Sequence, residues 1–96
     1  MLIRPEAEAD IGEAFDWYET RLPGLGSDFL LNVDAAFHAI HRSPRQFPLI
    51  HKSIRRTLIR RFPYQILFVE QEDQIVVLAV FHAKRNPKRW KKDPLS

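Results

Sequence analysis

Cysteine is absent from this 96-residue chain, so neither a disulfide nor a thiolate-held metal can contribute to its stability or chemistry. Glycine is scarce, at 3 residues, and none lies in a Gly-rich phosphate loop. The metalloprotease HExxH and the hydrolase GxSxG are missing too, and no serine has neighbours that suggest a nucleophile. No apolar run approaches the ~20 residues needed to span a bilayer. The opening residues lack the basic stretch and apolar core of a secretory signal. The expectation is a cytoplasmic protein with no membrane partner, no cofactor and no metal, built as one domain over residues 1–96. His38 and His41 stand three apart, too thin a set by themselves to hold a metal ion.

Charge is present in quantity and is segregated. Residues 1–40 carry eight acidic side chains against Arg4 and Arg21, a net of −6. Residues 41–96 carry thirteen Lys and Arg against four acids, a net of +9, although the whole chain sums to only +3. Segregation on this scale points to a binding surface of one sign, suited to an anionic partner such as nucleic acid or an acidic protein segment.

Met1–Arg4 reads as a short strand, and Pro5 suits the first turn of a helix, where its missing N–H is not needed. From Glu6 to about Leu22, Ala7, Ile11, Ala14, Phe15, Tyr18 and Leu22 recur at helical spacing. Trp17 falls off that stripe and marks a contact with a partner. Pro23–Gly26 is a turn, and Ser27 or Gly26 is expected to cap a second helix from about Asp28 to Arg42, with Phe29, Val33, Ala36, Phe37 and Ile40 on its apolar face. The Ser43–Pro48 segment ends it, with Phe47, Leu49 and Ile50 tucked against the core. Strands follow at Ile54–Arg60, Tyr64–Glu70 and Ile75–His82, the last apolar on both faces and so expected to be central, with Gln71–Gln74 as a polar hairpin loop. The order β-α-α-β-β-β defines an α+β domain: an N-terminal helical hairpin packed on a small antiparallel sheet of three or four strands.

The chemistry-bearing residues left over are cationic. Arg55, Arg56, Arg60, Arg61, Lys84, Lys88 and Arg89, with Tyr64 and Trp90 among them, form a candidate surface for a target or nucleic acid. The carboxylates are expected on the helices, away from that surface. Metal-free RNA cleavage would need proton transfer and phosphate stabilisation: His82 suits the first, and Arg61 and Arg85 the second. Nothing fixes a second proton-transfer group, and a basic face holding one histidine also fits pure binding.

The PGLGSDFL turn, IRRTLIRRFPYQILF, IVVLAVFH and HAKRNPKRW, in that order along nearly the whole chain, resemble the RelE/ParE toxins of type II toxin–antitoxin systems. The resemblance implies a small bacterial or archaeal growth-arresting toxin, neutralised by a cognate antitoxin that folds as it binds. The surface near Trp17 and an exposed sheet edge are the expected docking places. The family has two branches, one inhibiting DNA gyrase without catalysis and one cleaving mRNA on the ribosome with basic residues. Gln65 stands where the nuclease branch often has an arginine, and Trp90 where it often has a tyrosine, while Arg85 matches a tail arginine. The departures favour the gyrase branch, with the endoribonuclease as the alternative and a non-toxic nucleic-acid-binding module as the third reading.

Overall fold

The structure is a computed structural model, and it describes residues 1–84. Arg85, Lys88, Arg89 and Trp90 of the expected basic tail lie outside the described residues.

Helix α1 spans Pro5–Arg21 and helix α2 spans Leu25–Arg42. Pro5 occupies the first turn of α1, Glu6 and Glu8 lie in that turn, and Arg21 lies in the last, so both ends complement the helix dipole. The cap of α2 differs from expectation. The helix begins three residues earlier than the sequence suggests, with Gly24 at the cap position in the left-handed region, φ 92°. No side chain of that residue or its followers does the capping. Instead Glu19, near the end of α1, accepts from the Gly24 N–H through Oε2 and from the Gly26 N–H through Oε1, both at 2.9 Å. One carboxylate thus satisfies two amides at the positive end of α2 and joins the helices as a hairpin.

The sheet has five strands: β1 (Leu2–Ile3), β2 (Leu49–His51), β3 (Ile54–Leu58), β4 (Tyr64–Gln71) and β5 (Gln74–His82), in the order β1-β5-β4-β3-β2. One strand, β2, thus extends the expected set, and the expected N-terminal strand is β1. Leu49–His51 pairs with β3 as an edge strand, and β1 joins β5 in parallel, Leu2 opposite Val76 and Ile3 opposite Val77. β4 is the middle strand of the five, and β5 is interior as well, flanked by β4 and by the two-residue β1. The hairpin between β4 and β5 is tighter than expected: Glu72 (φ 51°) and Asp73 (φ 63°) alone reverse the chain, both left-handed as a type I′ turn demands.

Two apolar clusters lie on opposite faces of the sheet. On the helix side Ala7, Ala14, Tyr18, Phe29, Val33 and Ile40 meet Ile59, Ile66, Phe68, Ile75, Val77 and Val80. On the other side Ile54, Leu67, Val69, Val76, Leu78, Ala79 and Phe81 form a second cluster with Ile50. The β4–β5 register passes from Leu67 opposite Ala79 to Phe68 opposite Val77, leaving Leu78 as one extra residue on β5. This bulge puts Leu78 and Ala79 on the same face and turns Val80 and His82 toward the helices. The strand reads as apolar on both faces because each face is covered by one of the two clusters. Without the extra residue, strand alternation would send His82 to the far side.

Candidate functional site

Where α1 crosses the outer part of β5, a cleft of about 860 Å3 opens between the helix and the sheet. From α1 come Asp10, Glu13, Ala14, Trp17 and Tyr18, and from the sheet and its turns Pro63, Tyr64, Val80, Phe81, His82 and Lys84. The cleft exists because β1 stops at Ile3. The Arg4 N–H still reaches the Val77 carbonyl, at 3.1 Å, but then the chain turns into α1. Beyond that point Asp10 replaces a strand neighbour, its Oδ2 accepting from the Val80 N–H at 2.9 Å.

The floor is aromatic. Tyr18 packs edge-on against Phe62, 4.9 Å between centroids, and lies 5.4 Å from Phe29. Tyr64 meets Phe29 at 5.3 Å and His82 at 5.5 Å, each nearly perpendicular, the last being a direct cross-strand pair. Burial, and to a lesser degree the neighbouring Tyr64, push the Tyr18 phenol above its ordinary value, so it stays protonated through the physiological range. His82 Nδ1 accepts from the Lys84 N–H at 3.2 Å, which leaves Nε2 as its outward-facing nitrogen. At the rim Trp17 is 52% exposed, and the Arg21 guanidinium lies over its ring, 4.1 Å from the centroid.

This placement divides the cationic set expected from the sequence. His82, Lys84 and Tyr64 share the cleft with Trp17, while Arg61 is not among its lining residues. The Arg55 guanidinium is bound internally, donating to the carbonyls of Phe47 at 2.7 Å and Arg45 at 3.5 Å, so this side chain ties β3 to the segment that leads from α2 into β2. Its neighbour Arg56 is paired with Leu67 and therefore sits on the opposite face of the sheet. Arg60 and Arg61 are exposed on the β3–β4 turn, with Arg61 in the left-handed region at φ 70°. Gln65 faces away from the cleft as well, buried opposite Leu58 and Phe81 on the far side.

The carboxylates correct the expectation in the other direction. Asp10 and Glu13 lie in the same cleft as His82 and Lys84, so the acidic helix and the basic strand end meet. Sequence reading missed them because their spacing on α1 is that of any solvated face, and Val80 is 70 residues from Asp10 in the chain. His38 has Asp34 one helical turn away at 3.8 Å, and among the described residues no group of three or more potential ligands could hold a metal ion.

Fold and cleft together define a class: a small α+β domain with an open, mixed-charge aromatic groove. Comparison with known proteins makes it specific. Residues 1–87 match the family described as "ParE toxin of type II toxin-antitoxin system, parDE". The chain is 32% identical to Toxin ParE2 of Mycobacterium tuberculosis, strains CDC 1551 and H37Rv, over 83% of its own length and 77% of the relative's. Its fold superposes on a solved structure titled "Chromosomal ParDE TA system from P. aeruginosa" with a TM-score of 0.74, at 17% identity, covering 85% of this chain and 95% of the other. The chain belongs to the ParE toxin family of type II toxin–antitoxin systems. Membership implies a cognate antitoxin as partner.

Proposed function

We propose that this toxin arrests growth by inhibiting DNA gyrase in the cytoplasm, as a binding protein and not as a nuclease, until its antitoxin covers it. One observation carries the reading: among the described residues, the cationic groups are dispersed. Arg55 is committed to two backbone carbonyls, Arg56 lies on the opposite face of the sheet, Arg60 and Arg61 occupy the β3–β4 turn, and His82 stands in the cleft with Nδ1 already bonded. RNA cleavage without a metal requires proton-transfer groups and phosphate-stabilising cations around one scissile bond. Dispersed cations suit instead a broad contact with a large, acidic target surface. Arg61, held out on a rigid turn, is the residue we assign to the centre of that contact.

The test pairs two assays on the purified full chain. Gyrase supercoiling of relaxed plasmid should be inhibited, while messages in a reconstituted ribosomal reaction stay intact. Codon-linked cleavage of ribosome-bound mRNA with gyrase unaffected would overturn the reading in favour of the endoribonuclease.

A further inference from the structure

The cleft beside α1 has two unlike walls, and the difference says what kind of segment enters it. The α1 wall carries Asp10, Glu13 and Trp17 at positions i, i+3 and i+7, a single stripe down one side of the helix. Asp10 is engaged by the Val80 N–H, whereas the Glu13 side chain makes no ion pair or hydrogen bond among the described residues. One turn further on, Trp17 is half exposed, and Arg21 already shows that its ring accepts a guanidinium. The opposite lip carries Lys84 and His82, so a cation entering the cleft is directed toward α1 and away from the strand end. Between the walls lies an apolar floor of Ala14, Tyr18 and Val80.

We infer that this cleft is the seat of an arginine side chain from the antitoxin's toxin-binding segment, with its guanidinium between the Glu13 carboxylate and the Trp17 ring. The apolar neighbour of that arginine lies on the Tyr18–Val80 floor. Arginine is chosen over lysine because its planar group can stack on an indole and pair with a carboxylate at the same time, and an ammonium cannot do both as well. The inference rests on the family reading, which supplies a partner, but the chemistry of the contact comes from this chain's own residues.

The probe is a pair of synthetic amphipathic 12-residue peptides that differ only in having arginine or its neutral isostere citrulline at one position beside a leucine. Binding to the full chain is measured by calorimetry at low salt. The arginine peptide should bind about tenfold tighter than the citrulline peptide. Glu13→Gln and Trp17→Phe should each reduce that ratio severalfold, while Arg56→Ala, on the other face, keeps it. The reversed pair, Glu13→Lys with a peptide carrying glutamate in place of arginine, should recover the preference. Equal binding of the two peptides, or a ratio unmoved by Glu13→Gln, overturns the inference. The family reading is judged separately, by growth rescue when the antitoxin of the same operon is co-expressed. Rescue that is equally strong for the wild type, Glu13→Lys and Trp17→Ala would sink the arginine seat while leaving the antitoxin in place. Absence of any rescue of the wild type would sink the antitoxin reading itself, and the peptide ratio would then stand or fall alone.

Discussion

At the α1–α2 joint the backbone enters the left-handed region at Gly24, φ 92°, whereas at the β3–β4 turn it does so at Arg61, φ 70°. Both joints reverse the chain within a few residues, and both are pinned to the same aromatic core. The helical joint uses a residue with no side chain to strain, and Glu19 satisfies the amides that follow. The strand joint uses a long cationic side chain in a conformation that costs an L-residue about 1–2 kcal/mol. It is held by the Ile59 N–H to the Tyr64 carbonyl at 2.9 Å, the Tyr64 N–H to the Phe62 carbonyl at 2.8 Å, and the Ala83 N–H to the Pro63 carbonyl at 2.7 Å. One joint is built for stability. The other tolerates strain at an exposed charge, the pattern expected where a side chain is presented for use.

The comparison breaks most severely at Phe62. Its ring stands 4.9 Å from Tyr18 and 5.3 Å from Phe29, so it anchors the strained turn from beneath. Phe62→Ala should cost about 3–5 kcal/mol of stability, read as a fall in the denaturation midpoint. A cost under about 1 kcal/mol would mean that the turn is held by its backbone bonds alone. On the helical side the sensitive position is Gly26, where an added Cβ would meet Phe15 Cδ2 and Cε2 at 2.8 Å and Glu19 Oε1 at 2.9 Å. Gly26→Ala should cost about 1–3 kcal/mol, by forcing the Phe15 ring and the capping carboxylate to shift together.

Glu19→Gln is the milder break. Glutamine keeps the reach of the side chain but has one acceptor oxygen where glutamate has two, and it loses the charge that favours the α2 N-terminus. We expect a loss of about 1 kcal/mol in thermal or denaturant unfolding. A null result would show that solvent satisfies Gly24 and Gly26 equally well.

The helical hairpin was legible in the sequence because its signals are local: Pro5 in the first turn, apolar residues at helical spacing, and the Pro23–Gly24 break. The strands were legible from their apolar runs, but their arrangement was not. The β1–β5 pairing joins two residues near the start to two some 74 positions later, and neither end signals the other. The Glu72–Asp73 turn lacks the glycine or asparagine that would have identified it. The bulge at Leu78 was hidden because both sheet faces are apolar there, so no break in alternation shows. Half of the candidate site was missed for a related reason. Trp17, Tyr64, His82 and Lys84 were singled out as a tryptophan off the apolar stripe and as members of a basic strand end. Asp10 and Glu13 gain their meaning only where β1 ends short and α1 lies across the open edge of β5.

The smallest expected change in stability comes from giving the strand joint the residue that the helical joint already has. Arg61→Gly relieves the left-handed strain but loosens the unfolded chain, since glycine has more backbone freedom to lose on folding. The two effects oppose each other, so stability should move by no more than about 1 kcal/mol in either direction. On the proposed function, inhibition of gyrase should instead fall severalfold, because the turn keeps its shape and loses only the presented charge. Arg61→Asn separates the contributions further: asparagine tolerates the left-handed region, keeps a polar side chain, and lacks the cation. If Arg61→Asn and Arg61→Gly weaken inhibition alike while leaving unfolding unchanged, the charge is what the strained turn presents. If both variants inhibit as well as the wild type, Arg61 lies outside the contact. The positive φ would then be a local accommodation around Phe62, and the two joints would differ in chemistry without differing in purpose.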